Sequence, residues 1–380
     1  MKRVWTDGNC WPNQMQTLVL RAAVLQGEGA LEAWRDFCAR DGMEQLDQGS
    51  FRTLPLVWHN LSRQGFQHAA LPTLKGIHRQ AWCETRLLLR RLAPVVAGLH
   101  RAGIPLALLK GAPLALLYYR DPGLRPMQDL DILVPDDRGL EAIAHLEAAA
   151  WTRTTCSPGT IPAEFLRFRH AIGFRHAELG EIDLHWHLSW RACFPGVDDP
   201  FWEAAVDLEF EGTPVRTLAP TDLLVHACVH GVEWNPIPPM RWATDAFAVL
   251  RGPFPIDWQR FLAMTERLSS RLVMREALEY LVRELDAPIP PDVLAKLRAH
   301  RASRAERAAH QRTVDPDRLQ PPLDTLLGVY YRHASSTRDR GALRRLAAFP
   351  SFARFHWGDG WRSPSLFSGL ARWVRRRLRP

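Results

Sequence analysis

The sequence predicts an α+β fold, with a small mixed-sheet core flanked by N- and C-terminal helical regions. Apolar residues recur at helical spacing up to about residue 98, and again from Pro220 to about His333. Between those stretches lie short apolar runs with strand-like alternation, bounded by Gly, Pro and Asp. A helical, then mixed, then helical order suits a sheet with helices segregated around it. The implied division is a helical region over 1–95, an α/β core over 96–218, a helical domain over 219–340 and a basic tail over 341–380.

The elements follow in order. Leu18, Leu20, Ala23 and Val24, then Leu87, Leu88, Leu92 and Val95, mark several helices, with breaks near Gly27–Gly29, Gly42 and Leu71-Pro72. Ile104–Leu109 is a buried-strand run closed by Lys110-Gly111, and Ala112–Tyr119 reads as a helix with Pro113 in its first turn. Asp129–Val134 is the next strand, and Arg138–Trp151 the next helix. Arg169–Ala177 and Glu181–Leu188 predict a hairpin around Glu178-Leu-Gly180. Val206–Leu218 holds short strands around Glu211-Gly212, and proline breaks divide the helices that follow.

Composition sets the outer bounds. The 380 residues are 46% hydrophobic and 24% charged, which excludes a wholly disordered, collagen-like or disulfide-dense chain. No apolar run approaches the ~18 residues of a membrane span. Met1–Asp7 carries charges with no apolar stretch behind them, unlike a secretory signal. The six cysteines stand singly, without a CxxC pair, and predict reduced thiols in the cytoplasm. The formal charge of +8 resides in residues 341–380, with nine arginines against Asp359, so the first 340 residues are neutral. Gly369–Pro380 predicts a short basic helix with Leu370, Trp373, Val374 and Leu378 along one side. It is either a solvated tail or a patch for an anionic partner. Arginine outnumbers lysine 45 to 4, which suggests a GC-rich bacterial coding sequence.

Asp129 and Asp131 are two apart in a strand, so both carboxylates leave one face while Leu130 and Ile132 leave the other. The two charges repel unless a cation lies between them, and hard oxygen ligands suit Mg2+ or Mn2+. A solvated strand end is the plain alternative. Asp183 sits in Ile182–Leu188, where Asp183, His185 and His187 share a face opposite Ile182, Leu184, Trp186 and Leu188. If that strand lies beside Asp129–Asp131, three carboxylates converge. They could then hold two divalent ions about 4 Å apart for in-line displacement at phosphorus. His185 and His187 either line that site or are ordinary exposed strand histidines.

Lys110-Gly111 is either a simple strand-to-helix turn or a place where a phosphate meets backbone N–H groups and an ammonium. Arg125 is a loop arginine or a clamp for phosphate oxygens. His226 and His230 have the spacing of a helical zinc pair, but no obvious third ligand accompanies them, which favours a helix–helix contact. Arg241 and Asp245, also four apart, predict a helical ion pair. The alternative is that His230, Arg241 or Asp245 reaches an acceptor.

Taken together, Leu108–Gly111, Arg125, Met127–Val134 and Ile182–His185 resemble the uncharacterised nucleotidyltransferase family of the polymerase-beta-like superfamily. The match is close over about residues 90–190 and looser over the helical flanks. One departure is Lys110-Gly111-Ala112 where the superfamily usually has Gly-Ser, which removes a phosphate-contacting hydroxyl. The resemblance implies catalytic Asp129, Asp131 and Asp183 as ligands of Mg2+ (or Mn2+). It implies nucleotide contacts from Lys110, Gly111, Arg125 and His185. The implied reaction moves NMP from an NTP to a hydroxyl of an unidentified small molecule, peptide, protein or RNA, with release of pyrophosphate. Two competing functions remain open. A DxD glycosyltransferase would need a nucleotide-binding βα unit where residues 1–95 look helical. A catalytically silent module would bind a partner through the basic tail, although its three carboxylates are intact.

Overall fold

The chain enters its first helix at a reciprocal cap. Asn13 Oδ1 accepts from the Gln16 N–H while Gln16 Oε1 accepts from the Asn13 N–H, both at 2.9 Å. In the computed structural model, residues 10–154, 161, 163–233, 235, 238–316 and 321–357 are described. The basic helix expected over Gly369–Pro380 lies outside them, as does Cys156. Among the described residues four helices come first: α1 (Gln14–Val24), α2 (Glu28–Ala39), α3 (Gln48–Arg63) and α4 (Leu71–Arg101). Asp47 starts α3 by accepting the free N–H groups of Gly49 and Ser50 at 2.8 and 3.1 Å.

Seven strands follow: β1 (Ala107–Leu109), β2 (Asp129–Leu133), β3 (Thr152–Arg153), β4 (Ala171–His176), β5 (Gly180–His185), β6 (Val206–Phe210) and β7 (Thr213–Thr217). They form one mixed sheet in the order β3-β4-β5-β2-β1-β7-β6. The expected hairpin is β4–β5, antiparallel with Phe174 opposite Ile182. β2 then runs parallel to β5, and β1 parallel to β7. The fold is therefore α+β with a mixed sheet, as its residue pattern predicts.

Alternation divides the sheet's two faces. Leu108, Leu130, Ile132, Phe174, Ile182 and Leu184 pack with Leu89, Leu92, Val96 and Leu99 of α4 and with α5 (Gly139–Ala148). Ala107, Leu109 and Leu133 point the other way, into a second apolar cluster. That cluster is built from α1–α3 together with α6 (Pro220–Gly231), α7 (Arg241–Leu250) and α8 (Arg271–Leu285). The N- and C-terminal helices thus share one core, and the sheet's front face is its floor.

One expected helix differs in form. Over 112–119 the chain makes a short α turn, Gly111–Pro113, and then a π-helix, Leu114–Tyr119. The α turn carries a proline without an N–H to donate, and wider-turn segments of this kind often mark functional sites. Among the described residues, no helix is long and apolar enough to cross a membrane.

Candidate active site

The parallel pairing of β2 and β5 sets Asp131 opposite Asp183, with Asp129 two residues along the same face. The convergence expected if these strands were neighbours is therefore present. Single donor atoms from Asp131, Asp183 and His185 lie within 4.8 Å of one another. Asp129 shares their face but stands outside that group of three. Its carboxyl is raised above the usual range, by burial first and then by the neighbouring charge of Asp131.

Asp131 has the opposite balance. Burial alone would raise it, but the Lys110 ammonium and a hydrogen bond from His185 more than reverse that effect. Its carboxyl is held well below the usual range. Lys110 Nζ lies 2.5 Å from Asp131 Oδ1, and His185 Nε2 lies 3.1 Å from the same oxygen. Lys110 takes φ +52°, a left-handed conformation costly for a residue with a Cβ, at the junction of β1 and the following turn. Gly111 is required by a close approach: a Cβ there would stand 2.3 Å from Met127 Sδ. The glycine therefore meets a side chain as well as facing the site.

These groups face a cavity of about 380 Å3. Its far walls come from Gln48, Gly49 and Arg52 of α3, His226 and His230 of α6, and Arg241, Trp242 and Asp245 of α7. Both cavity histidines are held neutral. Burial and then Lys110 push His226 down to about 3, while the charge of Lys110 is the first cause that lowers His230, which is exposed at the cavity. Their helical spacing serves the cavity wall, where the sequence favoured a helix–helix contact.

Arg125 also reaches the cavity, but its fork is engaged. Nε and Nη2 donate to Asp245 Oδ1 and Oδ2 at 2.7 and 2.8 Å, in a buried bidentate pair. The ion pair expected between Arg241 and Asp245 is therefore not the one that forms. Planar guanidinium and carboxylate align across 120 residues of sequence, and Arg241 instead donates to the Pro126 carbonyl at 3.0 Å. His187 leaves the site as well. Its Nδ1 lies 2.7 Å from Asp198 Oδ2 in a buried pair. Arg52, Gln48 and Glu233 line the cavity but carry no sequence signal that separates them from other polar helix and loop residues.

The donor set suits a divalent cation. Carboxylate oxygens from Asp131 and Asp183 are hard ligands for Mg2+ or Mn2+, and the His185 imidazole is a softer ligand that suits later transition metals better than either. His185 Nδ1 is buried without a hydrogen-bond partner, so the ring has a nitrogen in reserve.

A parallel strand pair thus carries carboxylates beside a strand-to-helix turn, and helices supply the rest of the cavity lining. The profile of a family described as "Uncharacterised nucleotidyltransferase" matches residues 50–286, more than half of the sequence, and the chain belongs to that family. An antigenic nucleotidyltransferase-like protein from Paracoccidioides brasiliensis is similar in solved structure at 17% identity, over 58% of this chain and 97% of that one, with a TM-score of 0.35. No curated protein matches the sequence.

Proposed function

We propose that this chain transfers NMP from a nucleoside triphosphate to a hydroxyl of an acceptor and releases pyrophosphate, with Asp129, Asp131 and Asp183 as the catalytic carboxylates. The single observation that carries this function is the β2–β5 register, which sets Asp131 beside Asp183 on the face that Asp129 shares. These carboxylates, with His185 at their edge, would hold Mg2+ or Mn2+, whose charge offsets that of the phosphates and of the leaving pyrophosphate. The chain's own residues supply placement. Lys110 presents its ammonium at the carboxylate edge, where a phosphate of the nucleotide would also find it. Gly111, whose missing side chain leaves room for Met127, lines the cavity at this turn, where its backbone would meet a phosphate. His226 and His230, both neutral, line the opposite wall without adding charge. Helices line the cavity around the carboxylates, and the burial of Asp131 strengthens the electrostatic contacts made there. The scattered single cysteines support a reduced, cytoplasmic setting.

The test is label transfer. Purified protein is mixed with Mg2+ or Mn2+ and each α-labelled NTP, with and without a cell extract, and pyrophosphate release is followed in parallel. Asp129→Ala and Asp131→Ala are expected to lower transfer by about 10²-fold or more, the loss seen for a single electrostatic group in a closed site. Transfer near the wild-type rate in either variant would remove the carboxylates from the chemistry.

A further inference from the structure

Among the described residues, five carboxylates and four cationic side chains line the cavity. Two of those cations are already neutralised, Lys110 by Asp131 and Arg125 by Asp245. Arg52 and Arg241 have no carboxylate of their own. Arg52 Nη2 donates to Gln128 Oε1 at 2.5 Å, and Arg241 Nη1 to the Pro126 carbonyl at 3.0 Å. Each guanidinium has five N–H donors, so each retains several to offer. All of these contacts fall on the short segment that leads into β2. The two arginines, one from each helical flank, thus both reach the segment that leads into Asp129.

Bringing them there is costly. Burial, followed by repulsion from Arg125 and Arg52, pushes Arg241 down to about 10. Burial lowers Arg52 as well, against the attraction of Asp129. Like charges held together in a half-buried wall, with neutral acceptors as anchors and donors unspent, are the electrostatics of an anion site. The five carboxylates and four cations leave the cavity one negative charge, which a divalent cation on the carboxylates would turn into one positive charge.

We infer that Arg52 and Arg241 form a phosphate subsite that takes the polyphosphate end of the nucleotide, clamped from both flanks beside Asp129. This deepens the nucleotidyl-transfer function above and rests on it for the identity of the ligand. Phosphate chemistry could also come from an anionic acceptor. The position at the approach to Asp129, next to the carboxylates, assigns the subsite to the nucleotide.

The experiment titrates the full-length protein with inorganic tripolyphosphate and Mg2+ by calorimetry, and measures KM for NTP and for acceptor in the transfer assay. Arg52→Gln and Arg241→Gln are each expected to weaken tripolyphosphate binding and raise KM for NTP by about tenfold or more, the effect of losing a charge-assisted bond to phosphate. Arg52→Lys and Arg241→Lys keep the charge and lose the fork, and should fall between wild type and Gln; they also decide the matter if a Gln variant fails to fold. Tripolyphosphate affinity and KM for NTP within about twofold of wild type in folded variants would overturn the subsite while leaving nucleotidyl transfer standing. A rise confined to KM for the acceptor would overturn it too, by giving the arginines to the other substrate. Arginine-dependent tripolyphosphate binding with no label transfer from any NTP would support the subsite and sink the reaction.

Discussion

Replacing Asp245 by Asn removes one charge at nearly constant shape and leaves Arg125 buried without its partner. In the native structure this pair has two hydrogen bonds of 2.7 and 2.8 Å, and Tyr119 Oη adds a third to Asp245 at 3.1 Å. Side-chain exposure is only 8% for Arg125 and 6% for Asp245, so water cannot replace what is lost. Two unit charges at a separation of ~4 Å interact by about 4 kcal/mol at an effective dielectric near 20. Breaking buried pairs by removing one partner typically costs about 3–5 kcal/mol. The upper part of that range is expected here, because Arg52 and Arg241 repel the stranded guanidinium. Urea denaturation followed by tryptophan fluorescence measures the loss directly. Raising salt should change it little, since buried pairs are poorly screened. Arg125→Met combined with Asp245→Asn should cost at least about 2 kcal/mol less than the sum of the single changes, as coupled neighbours do. A loss below about 1 kcal/mol for Asp245→Asn, or strict additivity in the double variant, would refute the reasoning.

Gly111→Ala should destabilise by about 1–3 kcal/mol through overpacking against Met127. Combining it with Met127→Ala should return part of that loss in the same denaturation assay. For pH, His226 has a folded value of about 3, below its unfolded value, so the unfolded chain binds the extra proton between pH 6.5 and about 3. Stability therefore falls as pH drops through that window. The loss from His226 at pH 5.5 is on the order of 1 kcal/mol. His170, held low by burial first, adds to it. His226→Leu should flatten the slope of unfolding free energy between pH 7.5 and 5.5, and an unchanged slope would show that His226 is protonated in the folded state. Lys110→Ala should weaken the fold at pH 7, because Asp131 would face its burial without the ammonium. The folded value of Asp131 is depressed, so this stabilisation is present above the unfolded carboxylate value and lost as pH falls towards the lower folded one. The difference between Lys110→Ala and wild type should accordingly shrink in acid.

The carboxylate face was legible because strands write their faces into sequence at a period of two. Asp129-Leu-Asp-Ile and Ile182-Asp-Leu-His each separate polar from apolar without exception, and the structure keeps both assignments. The tight Glu178–Gly180 turn fixed the β4–β5 hairpin locally. What could not be read is what depends on distant chain segments. β1 pairs with β7 more than a hundred residues later, and no local signal marks that partner. Asp245 offered Arg241 one helical turn away, yet buried bidentate geometry went to Arg125. Arg52 is one of 45 arginines, on a helix whose register gives no hint that its tip meets Gln128. His185 reads as a strand histidine, and its place against Asp131 follows only once β2 and β5 lie side by side.

The shared apolar core of the two helical flanks bears on how far the chain can be trimmed. The sheet's front face, with Ala107, Leu109 and Leu133, is covered by side chains from the first 60 and from beyond residue 220. A fragment holding only the strands would carry Asp129, Asp131 and Asp183 and still expose an oily floor to water. It would also lack the opposite wall, because Arg52 and Arg241 lie on helices outside it. Catalytic economy and folding economy therefore point to different minimal lengths, and an excised sheet would aggregate before it could be tested for activity.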